Sequence, residues 1–261
     1  MTPSVATVGP RVPARRPFQE HEPKMLFARR AAAEFIGTVL LLIAVIGSGI
    51  AAQRLSPNDT GLQLLENAAA TGAALVAIIL AVGAVSGAHL NPIVSCADAL
   101  FGGLRPRELA TYIVAQFLGG ITGVVVANLM FSLPPVSISG HLRSAPGLWL
   151  GEVVATFGLL LVVFGDVRSG RTASAPFAVG AYITGAYFFT SSTSFANPAV
   201  TLARSLSDTL AAIAPSSVLP FVLAQAVGAA LACGVVRLLW PHAEEVAEEV
   251  VVPHESARAA T

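Results

Sequence analysis

The chain has 261 residues, of which 54% are hydrophobic and 11% charged, with a formal net charge of zero and a mean hydropathy of +0.73. This composition excludes an ordinary soluble domain and places the chain in a lipid bilayer. The zero net charge by itself says nothing of partners; no nucleic acid is expected to bind.

Residues 1–28 are rich in Pro and Arg and lack an apolar core, so they read as a disordered cytoplasmic tail, not a cleavable signal peptide. Apolar stretches follow at 29–53, 66–86, 109–131, 147–166, 173–193 and 217–240. Each is about 20 residues, enough to cross a hydrocarbon core of roughly 30 Å as a helix. Two further apolar runs, 91–101 and 197–206, are half that length and are expected to be re-entrant half-helices. Residues 241–261, with Glu244, Glu245, Glu248 and Glu249, read as a solvated cytoplasmic tail. The expected channel domain is therefore 29–240, six spans and two half-spans. Cys96 and Cys233 are single residues in apolar segments and read as packed small hydrophobes; no metal site or cofactor is expected.

Each half-span opens on an Asn-Pro pair, Asn91-Pro92-Ile93 and Asn197-Pro198-Ala199. Asn caps free backbone N–H groups, and Pro at the first helical position has no N–H to lose. A helix that starts inside a membrane exposes unpaired donors and the positive end of its dipole, which only protein or water can accommodate. Among the 15 Lys and Arg residues, only Arg54, Arg143 and Arg204 fall outside the side that carries both termini. That bias predicts both termini in the cytoplasm.

The chain also repeats. Ala33-Glu34-Phe35-Ile36-Gly37-Thr38 answers to Gly151-Glu152-Val153-Val154-Ala155-Thr156, and Ala115-Gln116-Phe117-Leu118-Gly119 to Ala224-Gln225-Ala226-Val227-Gly228. The halves, about 29–131 and 147–240, each hold three spans and one half-helix. An odd number of spans inverts the second half relative to the first. The two half-helices then enter from opposite faces and can meet at the midplane.

Ser86-Gly87-Ala88-His89-Leu90-Asn91-Pro92-Ile93 and Ser194-Phe195-Ala196-Asn197-Pro198-Ala199-Val200 resemble the paired Asn-Pro-Ala boxes of the aquaporin and aquaglyceroporin (major intrinsic protein) family. The resemblance implies an all-α membrane bundle of six transmembrane helices and two half-helices, a homotetramer in the inner (plasma) membrane, and a pore in every subunit. Asn91 and Asn197 are expected to donate amide hydrogens to solute passing in single file, while the helix N-termini refuse protons and cations. Ile93 stands where the family keeps a smaller Ala.

The same resemblance implies a selectivity filter at Thr71, Gly185, Ser194 and Val200. Water-selective members carry a bulky aromatic, a His and an Arg among these places, and glycerol channels keep the Arg and aromatics. The residues counted here include none of them, which predicts a wide, weakly charged opening with Val200 in place of Arg. Arg204, one turn beyond Val200, is expected to lend positive charge to the outer vestibule, or else to face lipid or a neighbouring subunit and pair with Asp208. Glu34 and Glu152 are expected to accept hydrogen bonds from the loops leading to the boxes, with a proton relay as the alternative. Gln116 and Gln225 are expected to hold interhelical hydrogen bonds, and His89 to line or brace the cytoplasmic entrance.

These readings predict a passive channel for small uncharged solutes, not an enzyme. An open filter resembles the arsenic-associated, bacterial aquaglyceroporin-like branch, so glycerol-type solutes and neutral metalloids such as arsenite are the expected cargo. The alternatives are a general water, glycerol or urea channel and, from another class, a secondary transporter.

Overall fold

In chain order the helices are α1 (Glu22–Leu55), α2 (Thr60–Ser86), α3 (Pro92–Leu100), α4 (Pro106–Met130), α5 (Pro146–Arg168), α6 (Ala175–Phe189), α7 (Pro198–Ala203), which ends in a 3-10 turn over Arg204–Leu206, and α8 (Pro215–Leu239). They belong to a computed structural model that describes residues 22–168 and 173–240, with no strand among the described residues. The tails 1–21 and 241–261, and the acidic residues 244–249 among them, lie outside the described residues, as does 169–172.

Five helices, α1, α2, α4, α5 and α8, are long and apolar enough to cross a bilayer. The remaining span, α6, has 15 residues, about 22 Å of helix. It is shorter than the 173–193 expected because Thr190 adopts an extended cap, φ −106° and ψ 139°. The hydroxyl-rich Ser191-Ser192-Thr193-Ser194 then leaves the helix as a loop in which Thr193 and Ser194 have positive φ. At the other end of the chain α1 starts at Glu22, inside the stretch read as tail.

α1 packs on α2 and α4, α5 packs on α6 and α8, and α2 meets α6 across the two halves. Glycines permit the tight crossings. A Cβ on Gly119 of α4 would sit 2.6 Å from the Phe35 carbonyl oxygen of α1, and one on Gly228 of α8 would sit 2.4 Å from the Val153 carbonyl oxygen of α5. Phe35 follows Glu34 as Val153 follows Glu152, so the same close contact recurs in both halves. Without a hydrophobic drive between helices in lipid, such close backbone approach is a main source of association.

Candidate pore between the two half-helices

Both boxes form the same cap. Asn91 (φ −154°, ψ 118°) and Asn197 (φ −157°, ψ 114°) are extended, with Pro at the first helical position. The Ile93 N–H donates to Asn91 Oδ1 at 2.9 Å. The Ala199 and Val200 N–H groups donate to Asn197 Oδ1 at 3.0 and 3.2 Å. Each Asn side chain also reaches across the midplane: Asn91 Nδ2 donates to the Ala196 carbonyl and Asn197 Nδ2 to the Leu90 carbonyl, both at 2.8 Å. The two helix N-termini are thus tied tip to tip, each amide keeping a second hydrogen for the lumen.

The loops before the boxes are held in an uncommon backbone. Ala88 and Leu90, and likewise Ser194 and Ala196, have φ between 47° and 52°, a region non-glycine residues rarely occupy unless the surroundings impose it. Two buried carboxylates impose it. Glu34 accepts from the His89 N–H at 2.9 Å, the Leu90 N–H at 2.7 Å and Ser86 Oγ at 2.7 Å. Glu152 accepts from the Phe195 and Ala196 N–H groups, each at 2.9 Å. Gln116 Nε2 bridges Glu34 and Ser95 Oγ at 2.8 and 3.0 Å, and Gln225 Nε2 bridges Glu152 and Thr201 Oγ1 at 2.6 and 2.9 Å. Donors that would go unsatisfied at membrane depth therefore have fixed acceptors.

A cavity of about 70 Å³ runs past this junction. At roughly 10–15 Å³ for each water centre it has room for about five waters. Four of the spans contribute residues spaced to share a face: Leu41 and Val45 from α1, Thr71, Leu75 and Ile79 from α2, Leu159 and Val163 from α5, and Val179, Ile183 and Tyr187 from α6. The half-helices supply Asn91, Val94, Asn197, Val200 and Arg204, and the loops His89 and Ser194. Pro92, Ile93, Pro198 and Ala199 do not line it; Ile93 packs against the hydrophobic core instead.

The lumen corrects the reading of α6. Gly185 is exposed and absent from the lining, because it lies two residues from Ile183 and Tyr187 and so points to the other side of a 3.6-residue helix. Tyr187 takes the place, its hydroxyl 3.4 Å from Thr71 Oγ1. An aromatic side chain therefore borders the opening that was read as lined by small residues and Val200.

Arg204 also borders the lumen and is only 2% exposed. Its guanidinium lies 3.5 Å from the centroid of the Phe195 ring, and its Nε donates to the Ala211 carbonyl. The pairing with Asp208 is not formed: Asp208 Oδ1 accepts from the Gly140 N–H at 3.1 Å and lies 3.7 Å from His141 Nε2. A second guanidinium, Arg143, sits 5.2 Å from the same ring. Burial pushes the Arg143 guanidinium below its ordinary pKa, with the charge of Glu152 acting in the opposite sense. At the other end of the cavity His89 Nδ1 lies 3.1 Å from Ser95 Oγ and its Nε2 3.9 Å from Asp98 Oδ2. Cys233 is buried as read from the sequence, whereas Cys96 is exposed on α3.

The sequence profile described as "Major intrinsic protein" matches residues 22–196. The chain belongs to the major intrinsic protein family. This major intrinsic protein is 48% identical over 211 residues to the aquaglyceroporin AqpS of Rhizobium meliloti, covering 81% of this chain and 90% of that protein. It is 32% identical over 174 residues to the lens fiber major intrinsic protein of Ovis aries, covering 62% of this chain and 63% of that one. The X-ray structure of the aquaglyceroporin from Plasmodium falciparum shares the fold, with a TM-score of 0.63 at 20% identity, covering 84% of this chain and 99% of that one. As a major intrinsic protein of aquaglyceroporin type, the chain is a multi-pass membrane channel for small solutes and not an enzyme.

Three residues at the lumen or beside it escaped sequence reading. Tyr187 was hidden because nothing local reports the rotation of α6 about its axis. Asp98 does carry a signal: a lone acid in an apolar half-helix is a functional flag by default. Arg143 gives none, since it reaches Phe195 only through the path of the loop after α4.

Proposed function

We propose that this channel conducts uncharged solutes of glycerol size, neutral metalloids such as arsenite among them, passively along their gradients. It does so in the inner (plasma) membrane with both termini cytoplasmic, as a homotetramer with a pore in each subunit. The observation that carries the reading is Val200, which lines the cavity beside Asn197 and is 5% exposed. A short branched apolar side chain there leaves volume that a longer, charged one would fill. The rest of the lumen is apolar with a few polar groups and the Arg204 guanidinium, which suits uncharged solutes that trade hydration for a thin row of wall contacts. Asn91 and Asn197 offer the midplane donors, and the helix N-termini oppose cations there. A secondary transporter is disfavoured because the lining includes no acidic side chain. Stopped-flow assays of vesicles bearing wild type and Val200→Arg test the proposal. Wild type is expected to pass glycerol and arsenite with linear, gradient-driven kinetics, and Val200→Arg to lose these fluxes while keeping water flux. Equal glycerol and arsenite rates in the two proteins would remove Val200 from the filter, and saturable, ion-coupled uptake would restore the transporter.

A further inference from the structure

The loop between α4 and α5 folds back over the exit of α7 and is sewn to it by main-chain hydrogen bonds. The Ser137 and Ser139 N–H groups donate to the Leu206 and Ser205 carbonyls, each at 3.0 Å, and the Ala214 N–H donates to the His141 carbonyl at 2.7 Å. Ser207 Oγ donates to Asn128 Oδ1 at 2.7 Å, which ties the same segment to the end of α4. This stitching sets Arg143 in place, with its backbone N–H on Ser217 Oγ at 3.0 Å and its Nε on the Ala212 carbonyl at 2.8 Å.

Arg204 makes the matching contact one residue earlier, Nε to the Ala211 carbonyl. Consecutive carbonyls thus hold two guanidinium groups, and one ring, Phe195, lies under both at 3.5 and 5.2 Å. Phe195 is in turn fixed by an edge contact with Phe221, centroids 5.2 Å apart, and by its N–H on Glu152. Among the described residues neither arginine has a carboxylate within ion-pair distance. The ring faces and carbonyls offset the desolvation of the guanidinium groups without neutralising them. Two positive charges therefore stand together at one end of a narrow, low-dielectric lumen, Arg204 on its wall and Arg143 beside the same ring, with Glu152 offsetting them from beyond ion-pair distance. Beside them Ser194 Oγ is buried without a protein partner and borders the same space, a hydroxyl free to exchange hydrogen bonds with a neutral solute.

We propose that Arg143 and Arg204 act together as the cation-excluding, specificity-determining element of this pore, with Phe195 as the plate that positions both. Arg204 touches the passing solute; Arg143 is a positioning residue that acts through Phe195 and through its charge. The pair discriminates between solutes of one shape by charge, admitting neutral hydrogen-bonding molecules and refusing monovalent cations. This inference rests on the channel reading.

Guanidinium and urea, nearly the same shape with and without a charge, are the probes. The full chain in proteoliposomes is assayed for the ratio of guanidinium to urea permeability in wild type, Arg143→Gln, Arg143→Lys and Arg204→Gln. A ratio depends only on channels that have folded, and Arg143→Gln carries the test if Arg204→Gln does not assemble. Arg143→Gln is expected to raise the ratio by about threefold or more, and Arg143→Lys to stay below that threshold. A smaller rise in Arg143→Gln, or an equal rise in Arg143→Lys, overturns the proposal. Absence of urea and glycerol flux in wild type overturns the channel reading itself.

Discussion

Asp98 and Arg204 occupy equivalent places in the two half-helices, each the same distance in sequence beyond the Asn that caps its helix. The residues they face are also equivalent: His89 lies 3.9 Å from Asp98, and Phe195 lies under Arg204. Even the aromatic partners correspond, Tyr112 at 5.3 Å from His89 and Phe221 at 5.2 Å from Phe195, both edge-on. The backbone is thus close to symmetric about the midplane while the chemistry is not. One end of the lumen presents an imidazole backed by an acid, and the other a guanidinium stacked on a ring.

Replacing His89 with Phe gives the first end the ring of the second. Ser95 Oγ keeps its bond from Gln116, while the imidazole's contacts with Ser95 and Asp98 are lost along with its polar edge on the lumen. With one polar contact fewer in a single-file path, water permeability per channel is expected to fall by about threefold or more. Stopped-flow osmotic shrinkage of vesicles, normalised to channel density, measures it.

Glu152→Gln exchanges one acceptor oxygen for an NH2 group facing the Phe195 or Ala196 N–H, both of which Glu152 now satisfies. A buried donor left without an acceptor costs about 1–3 kcal/mol. Glu34→Gln acts on the His89 and Leu90 N–H groups in the same way. Both variants are expected to lower the unfolding temperature in detergent micelles, and a double variant to lose more than either single one.

Gly228→Ala puts a methyl group 2.4 Å from the Val153 carbonyl oxygen, whereas nothing lies within 4 Å of the same group on Gly234 of the same helix. Overpacking against backbone is expected to cost about 1–3 kcal/mol. Gly234→Ala is expected to be neutral or stabilising by up to about 1 kcal/mol, since it relieves the helix penalty of glycine. Thermal unfolding of the pair separates close approach from helix propensity.

Tyr187→Ala removes the ring beside Thr71 from the lumen wall. Flux of a four-carbon polyol is expected to rise by about threefold or more relative to glycerol as the cavity widens. The matching change on the outward face, Gly185→Ala, meets only Phe189 carbons at 3.5 and 3.7 Å and is expected to leave the flux ratio where it was. Iso-osmotic swelling assays of the two variants distinguish these faces of α6.

The amino-acid sequence by itself determined the elements whose causes are local or periodic. Apolar length marked the long spans, the Asn-Pro pairs marked two buried helix starts, and the matched Glu and Gln residues marked the inverted repeat. A cap, a proline and a run of apolar residues act through their near neighbours, so they can be read in one dimension. Only the tertiary structure decided which face of α6 the lumen takes, so that Tyr187 borders it and Gly185 does not. It also decided that Arg204 turns inward onto Phe195, and that a loop far away in sequence brings Arg143 to the same ring. These depend on helix rotation and chain return, which packing between distant segments sets and no local pattern encodes.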